Sequence, residues 1–141
     1  MQRKGSAEWR GGIKDGSGLI STESGVLNRT QYSFKTRFEE GQGTNPEELI
    51  AAAHAGCFSM AFSLILEGEG VKADKIETTA TVSLEKSVDG FSIPAIHLQV
   101  HAKIPNISKE AFQSAANKAK EGCPVSKLMK AKITMDASLE N

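Results

Sequence analysis

Between Leu49 and Leu66 the chain carries no formal charge, and its small and large apolar residues fall on every side of a helical projection. The segment has a strong helix start. Asn45 stands at the N-cap, Pro46 at the first helical position, and Glu48 where a capping box would close. Gly68 and Gly70 supply the stop. A helix without a polar face must be buried all round or lie in a membrane. At about 1.5 Å per residue this one is long enough to span a bilayer. Its first half is mostly Ala, Gly, Ser and His, however, and no basic or aromatic belt flanks it, which favours a buried central helix over a membrane span. A chain of 141 residues has little other material with which to surround such a helix. The same helix from a second copy would supply the cover, so a homodimer is expected.

Alternating pieces precede and follow the helix. The first forty residues are rich in glycine and contain "SAEWRG", "SGLIST" and "QYSFKTRF", read as strands with one buried face. In the last of these, Tyr32, Phe34 and Phe38 share the apolar side and Arg37 points away from it. Beyond the helix, Ile76, Thr78, Ala80, Val82 and Leu84 line one face of a strand, and Ser87 to Gly90 form a turn into the next. There the apolar positions change from odd (Phe91, Ile93) to even (Ile96, Leu98, Val100, Ala102, Ile104) around Pro94, as a bulge requires. "NISKEAFQSAANKAKEG" is a second helix, capped by Ser108 and stopped by Gly122; a short helix starts at "CPVSKLMK", and "AKITMDASLE" closes the chain as a strand. The order β-β-β-α-β-β-α-α-β is an α+β pattern, expected as a single domain over residues 1–141.

The 17 basic and 17 acidic residues cancel and are scattered, so no patch invites phosphates or anionic lipid, and nucleic-acid binding is not expected. The opening "MQRKGSAEWRGGIKDG" lacks the apolar run of a signal peptide, which makes the cytoplasm the expected compartment. In a reducing compartment the two cysteines, Cys57 and Cys123, cannot be read as a structural staple, and a transient or catalytic bond fits better. The absence of a C-x-x-C pair argues against the thioredoxin-type motif, and the absence of clustered Cys/His pairs argues against a closed zinc site.

Cys123 sits at the N-cap of its short helix, with Gly122 behind it and Pro124 in the first turn. Backbone N–H groups and the dipole at a helix start stabilise a thiolate and lower the thiol pKa from about 8.5. The other reading is a small residue filling a half-buried corner. Cys57 lies about three turns into the long helix, beyond the help of its dipole, and reads locally as a packing residue unless other parts of the fold bring cations or donors to it. Gly56 and Ser59 leave room beside it. His54, on roughly the same helical face, is either a satisfied core histidine or a group that polarises the thiol or helps bind a metal. His97 and His101 match no motif.

"NPEELIAAAHAGCFSMAFS", together with "STESGVLN", "YSFKTRFEEG" and "GCPVSKLMKAKIT", closely resembles the OsmC branch of the OsmC/Ohr family over essentially the whole chain. The resemblance implies a cysteine-based peroxidase that reduces organic hydroperoxides, and hydrogen peroxide less well, in osmotic and oxidative stress. It implies an intertwined homodimer in which antiparallel sheets wrap two long central helices, with the active sites at the subunit interface. Carried over by position, Cys57 matches the peroxide-attacking cysteine, Cys123 the resolving cysteine, Glu47 the active-site glutamate and Arg37 the arginine that pairs with it and steadies the thiolate. No metal or organic cofactor is implied; an external dithiol is the reductant. Glu47 and Cys57 are ten residues apart in one helix, or about 15 Å along its axis. Glu47, and Arg37 with it, is therefore expected to act on Cys57 of the partner subunit. The competing readings are a non-catalytic dimer that binds a hydrophobic ligand, and a slow thiol redox sensor.

Overall fold

Three short strands open the chain. In the computed structural model, which describes residues 1–140, β1 (Gly5–Arg10), β2 (Ser17–Thr22) and β3 (Thr30–Ser33) pair as an antiparallel meander. Gly18 of β2 stands opposite Tyr32 of β3, and a β-carbon there would fall 2.3 Å from the tyrosine ring. The absence of a side chain on β2 is what lets the ring lie across it, against Trp9 at 5.3 Å between centroids.

The strand expected over "QYSFKTRF" ends early. Past Ser33 the chain turns into a short helix, α1 (Phe34–Phe38), closed by a reciprocal cap in which the Thr36 N–H donates to Ser33 Oγ and the Ser33 N–H to Thr36 Oγ1. Phe34 and Phe38 do share a side, because a spacing of four satisfies a helical period as well as a period of two. Arg37 does not point away from them: its guanidinium carbon lies 5.4 Å from the Phe38 ring centroid.

Helix α2 (Pro46–Gly68) begins as read, with the Glu48 N–H donating to Asn45 Oδ1 at 2.9 Å. The Glu48 carboxylate takes the Thr44 hydroxyl rather than closing the box. At the other end the Gly70 and Val71 N–H groups reach the Glu67 and Leu66 carbonyls, a Schellman turn with Gly70 at φ 76°.

The chain divides into two units, residues 1–49 and the remainder from Ile50. In the second unit, β4 (Lys75–Ser87), β5 (Gly90–Lys103) and β6 (Lys132–Glu140) form one sheet in that order, β4 antiparallel to β5 and β6 parallel to it. The parallel pairing departs in detail from the antiparallel expectation. It follows from the crossover through α3 (Lys109–Gly122) and α4 (Pro124–Leu128), which returns the chain to the starting edge of β5. The bulge at Pro94 is present: Ser83 pairs with Ala95 but Glu85 with Ser92, one extra residue on β5. In-phase apolar positions then meet across the sheet, Ile96 with Val82 and Ile133, Leu98 with Ala80 and Met135.

That face packs against α2 and α3. Phe58, Phe62 and Leu66 of α2 join Leu98, Val100 and Ala102 of β5 and Phe112, Ala115 and Ala119 of α3, with Phe62 edge-on to Phe112 at 5.7 Å. Helix α2 is not enclosed all round within its chain. His54, Phe58, Phe62 and Leu66, four residues apart, are buried, while Gly56, Met60 and Leu64 are exposed, the last two at 77% and 71%. The sheets and helices make the expected α+β architecture.

Candidate active site

Two pairs of side chains hold the four candidate residues. In the first unit α1 and the start of α2 bring Arg37 to Glu47: Arg37 Nη2 donates to Glu47 Oε1 at 2.8 Å and Nε to the same oxygen at 3.1 Å. The glutamate side chain is only 12% exposed and the arginine 37%. The Thr36 carbonyl accepts from Asn45 Nδ2, tying the two helix starts together. Beside the pair lies a cavity of about 270 Å³ lined by Trp9, Tyr32, Phe34, Arg37, Phe38 and Pro46. One cation therefore sits at the rim of an aromatic pocket.

In the second unit Cys57 and Cys123 meet. Their sulfurs lie 2.9 Å apart and both are free thiols. Cys57 is partly accessible and Cys123 has no exposed surface. Cys123 is the N-cap of α4 and Pro124 its first residue, as the sequence implied. Burial pushes the Cys57 thiol up, and the hydrogen bond with Cys123 adds to this; within its own unit no described cation offsets the rise. Cys123 is also desolvated, which alone would raise it. Donors outweigh that cost, from Cys57 and from the N–H groups of Ser126 and Val125 and the Ser126 hydroxyl, so its thiol falls below the ordinary value. None of the first-turn groups makes a tight cap bond to the sulfur; the helix start acts through several weak donors at once.

His54 is fully buried, with Nε2 2.8 Å from Ser126 Oγ. Ser126 was not singled out by sequence reasoning, although a hydroxyl three residues after a helix N-cap is a recognisable local signal. Phe58 and Phe62 belong to the core and Met60 to the exposed side of α2. Among the described residues no group of three His, Cys, Asp or Glu side chains could hold a metal ion.

The model of the family described as OsmC-like protein matches residues 39–138. The chain belongs to the OsmC-like family. The matched segment includes Glu47, Cys57 and Cys123 and begins two residues after Arg37. Peroxiredoxin OsmC of Escherichia coli (strain K12) is 52% identical over 141 residues, covering 100% of this chain and 99% of that protein. Organic hydroperoxide resistance protein-like 1 of Staphylococcus epidermidis is 38% identical over 102 residues, 72% of each chain. Among solved structures, the organic hydroperoxide resistance protein OhrB of Bacillus subtilis has a TM-score of 0.69 at 27% identity, over 97% of this chain and 98% of that one. An OsmC-like protein of Mycoplasma pneumoniae reaches 0.78 at 16% identity over 100% and 99%, a likeness of fold. This member of the OsmC-like family thus carries two cysteines in contact and an arginine–glutamate pair beside an aromatic cavity.

Proposed function

We propose that this chain, as a single OsmC-like domain, is a thiol-dependent peroxidase that reduces organic hydroperoxides, and hydrogen peroxide less well. The observation that carries the reading is the 2.9 Å approach of Cys57 to Cys123 in a family whose members include a peroxiredoxin and organic hydroperoxide resistance proteins. Cys57 is the more accessible sulfur, which supports its assignment as the one a peroxide reaches, and Cys123, fully buried and in contact with it, is the one we assign to resolve.

The chemistry runs in three steps. The Cys57 thiolate attacks the distal peroxide oxygen, the O–O bond breaks, and the alkoxide leaves and takes up a proton to become the alcohol, with Cys57 left as a sulfenic acid. Cys123 then attacks that sulfur and displaces water, forming the disulfide. An external dithiol reduces the disulfide by exchange and is itself oxidised. No step calls for a metal.

Cys57 needs a cation to be a thiolate, since burial and Cys123 both raise it. Arg37, held in a two-point grip by Glu47, is the cation we assign, and it comes from a second copy of the chain. Helix α2 runs unbroken from Pro46 to Gly68, so ten helical residues, about 15 Å of rise, separate Glu47 from Cys57 of the same chain. The apolar line of Gly56, Met60 and Leu64 is the face a second α2 would cover, and a β-carbon at Gly56 would meet open space within this chain. Although α2 is long and apolar enough to cross a bilayer, its other face is packed on a sheet whose far side carries Glu77, Gln99, His101 and Lys103. This supports an aqueous homodimer, assigned to the cytoplasm, without nucleic-acid partners. The aromatic cavity beside Arg37 receives the alkyl group of the peroxide.

The test is turnover of an alkyl hydroperoxide and of hydrogen peroxide with a dithiol reductant. Preference for the alkyl peroxide, lost in Cys57→Ser, is the expected result. No turnover by the fully reduced protein would overturn the reading.

A further inference from the structure

His54 is fully buried, and only one of its ring nitrogens has a partner: Nε2 faces Ser126 Oγ at 2.8 Å, while Nδ1 is buried without one. A buried N–H left unpaired is rarer in proteins than an under-satisfied acceptor. The arrangement therefore favours the tautomer with its proton on Nε2, which donates to Ser126 Oγ and leaves Nδ1 as a bare lone pair. The Ser126 hydroxyl, having accepted from His54, is free to donate in turn. It stands at the third position of α4, three residues after the N-cap Cys123, and is itself only 7% exposed, so its hydroxyl lies at the same helix start as the Cys123 sulfur. The start of α4 thus meets α2 twice, Ser126 with His54 at 2.8 Å and Cys123 with Cys57 at 2.9 Å, and His54 and Cys57 are three residues apart on one helix.

We infer that His54 and Ser126 are positioning residues for the resolving thiol, a donor chain from His54 Nε2–H to Ser126 Oγ–H to Cys123 Sγ that holds Cys123 as a hydrogen-bonded thiolate facing Cys57. The role of Cys123 as resolver rests on the peroxidase reading; the chain of donors does not. Its effect falls on the second chemical step. There the Cys123 thiolate forms the S–S bond, the S–O bond of the sulfenic acid breaks, and hydroxide leaves with that electron pair and takes up one proton as water. The proton gained by water equals the one given up by the Cys123 thiol, so His54 and Ser126 end the step as they began. A neutral imidazole protonated on Nε2 suffices for this chain, and burial, which holds His54 below its ordinary value, favours that neutral form.

The experiment uses the full chain in a Cys57→Ser background, where Cys123 is the one remaining thiol of the two in the sequence. The pH dependence of its alkylation by iodoacetamide reports the thiolate directly, without peroxide. Ser126→Ala and His54→Leu should move the midpoint upward and slow alkylation at neutral pH about tenfold, as expected for loss of a hydrogen bond to a charged sulfur. Ser126→Thr and His54→Gln, which keep a donor, should stay near the parent. The double variant should be no worse than either single one, because the two act in series. In the protein with both cysteines, conversion of sulfenic acid to disulfide should slow by the same factor. An unmoved midpoint in Ser126→Ala, or equal losses in His54→Leu and His54→Gln, would overturn the inference. If His54→Leu does not fold, the Ser126→Ala and Ser126→Thr pair decides. Failure of the parent to form any sulfenic acid would count against the peroxidase reading alone, since the alkylation series still judges the donor chain.

Discussion

The sulfur atoms of Cys57 and Cys123 lie 2.9 Å apart although 66 residues separate them in the chain. One comes from the middle of a 23-residue helix and the other from the cap of a five-residue helix, and only the first has solvent access. The pair is asymmetric in charge as well: the local donors favour a thiolate at Cys123, while burial favours a thiol at Cys57.

In the proposed mechanism the more accessible Cys57 reacts first. Cys57→Ser should abolish peroxide consumption, a loss of at least about a thousandfold for removal of a nucleophile. Cys123→Ser should stop at a Cys57 sulfenic acid, trapped by dimedone and seen as an adduct by mass spectrometry. An adduct on Cys123 in the Cys57→Ser protein would reverse the assignment.

Arg37 grips Glu47 through two nitrogens in a fork that an ammonium cannot reproduce. Arg37→Lys should slow Cys57 oxidation about tenfold or more, with less than about 1 kcal/mol lost in stability because the arginine is over a third exposed. Mixed dimers of Cys57→Ser and Glu47→Ala subunits should regain one intact site. Mixtures as inactive as their parents would place all four residues of a site in one chain.

Met60 and Leu64 project from the uncovered face of α2. Replacing both with Glu should convert a dimer to monomers in sedimentation velocity, with the core of the second unit intact by near-ultraviolet circular dichroism. A dimer that survives both charges would move the interface elsewhere.

Phe62 is fully buried between Phe58 and Phe112, with ring centroids 5.8 and 5.7 Å away. Phe62→Ala should cost about 3–5 kcal/mol in denaturant unfolding, through lost transfer energy and the cavity left behind. A cost under about 1 kcal/mol would mean that the three rings do not form the core.

Burial holds the His54 ring below its ordinary 6.5. As pH falls through that value the unfolded chain takes up the proton first. The stability contributed by neutral His54 is therefore complete above about pH 6.5 and is lost as pH drops toward the lowered folded value. Thermal melts between about pH 7.5 and 5.5 should show the decline, and His54→Gln should flatten it. An equally steep decline in the variant would remove His54 as its source.

Local signals in the chain were legible where one residue's geometry decides the outcome. Asn45 before Pro46, Ser108 before the third helix, Gly70 after the second and the phase change at Pro94 all lie where a cap, a stop or a bulge is found. The segment from Phe34 to Phe38 misled because a spacing of four fits strand and helix alike, and the reciprocal bonds of Ser33 and Thr36 settle it. The length and uniformity of the uncharged run implied a helix buried on all sides. Within its own chain one line of residues is covered and the opposite line is not.

What the sequence determined by itself was therefore most of the elements and their caps, α1 excepted, since caps, turns and periodicity act over a few residues. Which residues meet was decided by tertiary structure. The parallel return of β6, the contact of Cys57 with Cys123 and the contact of His54 with Ser126 each join parts of the chain distant in sequence. Such contacts arise from the shared burial of the apolar faces of α2, α3 and the sheet, a property of the packed whole that no single stretch of residues carries.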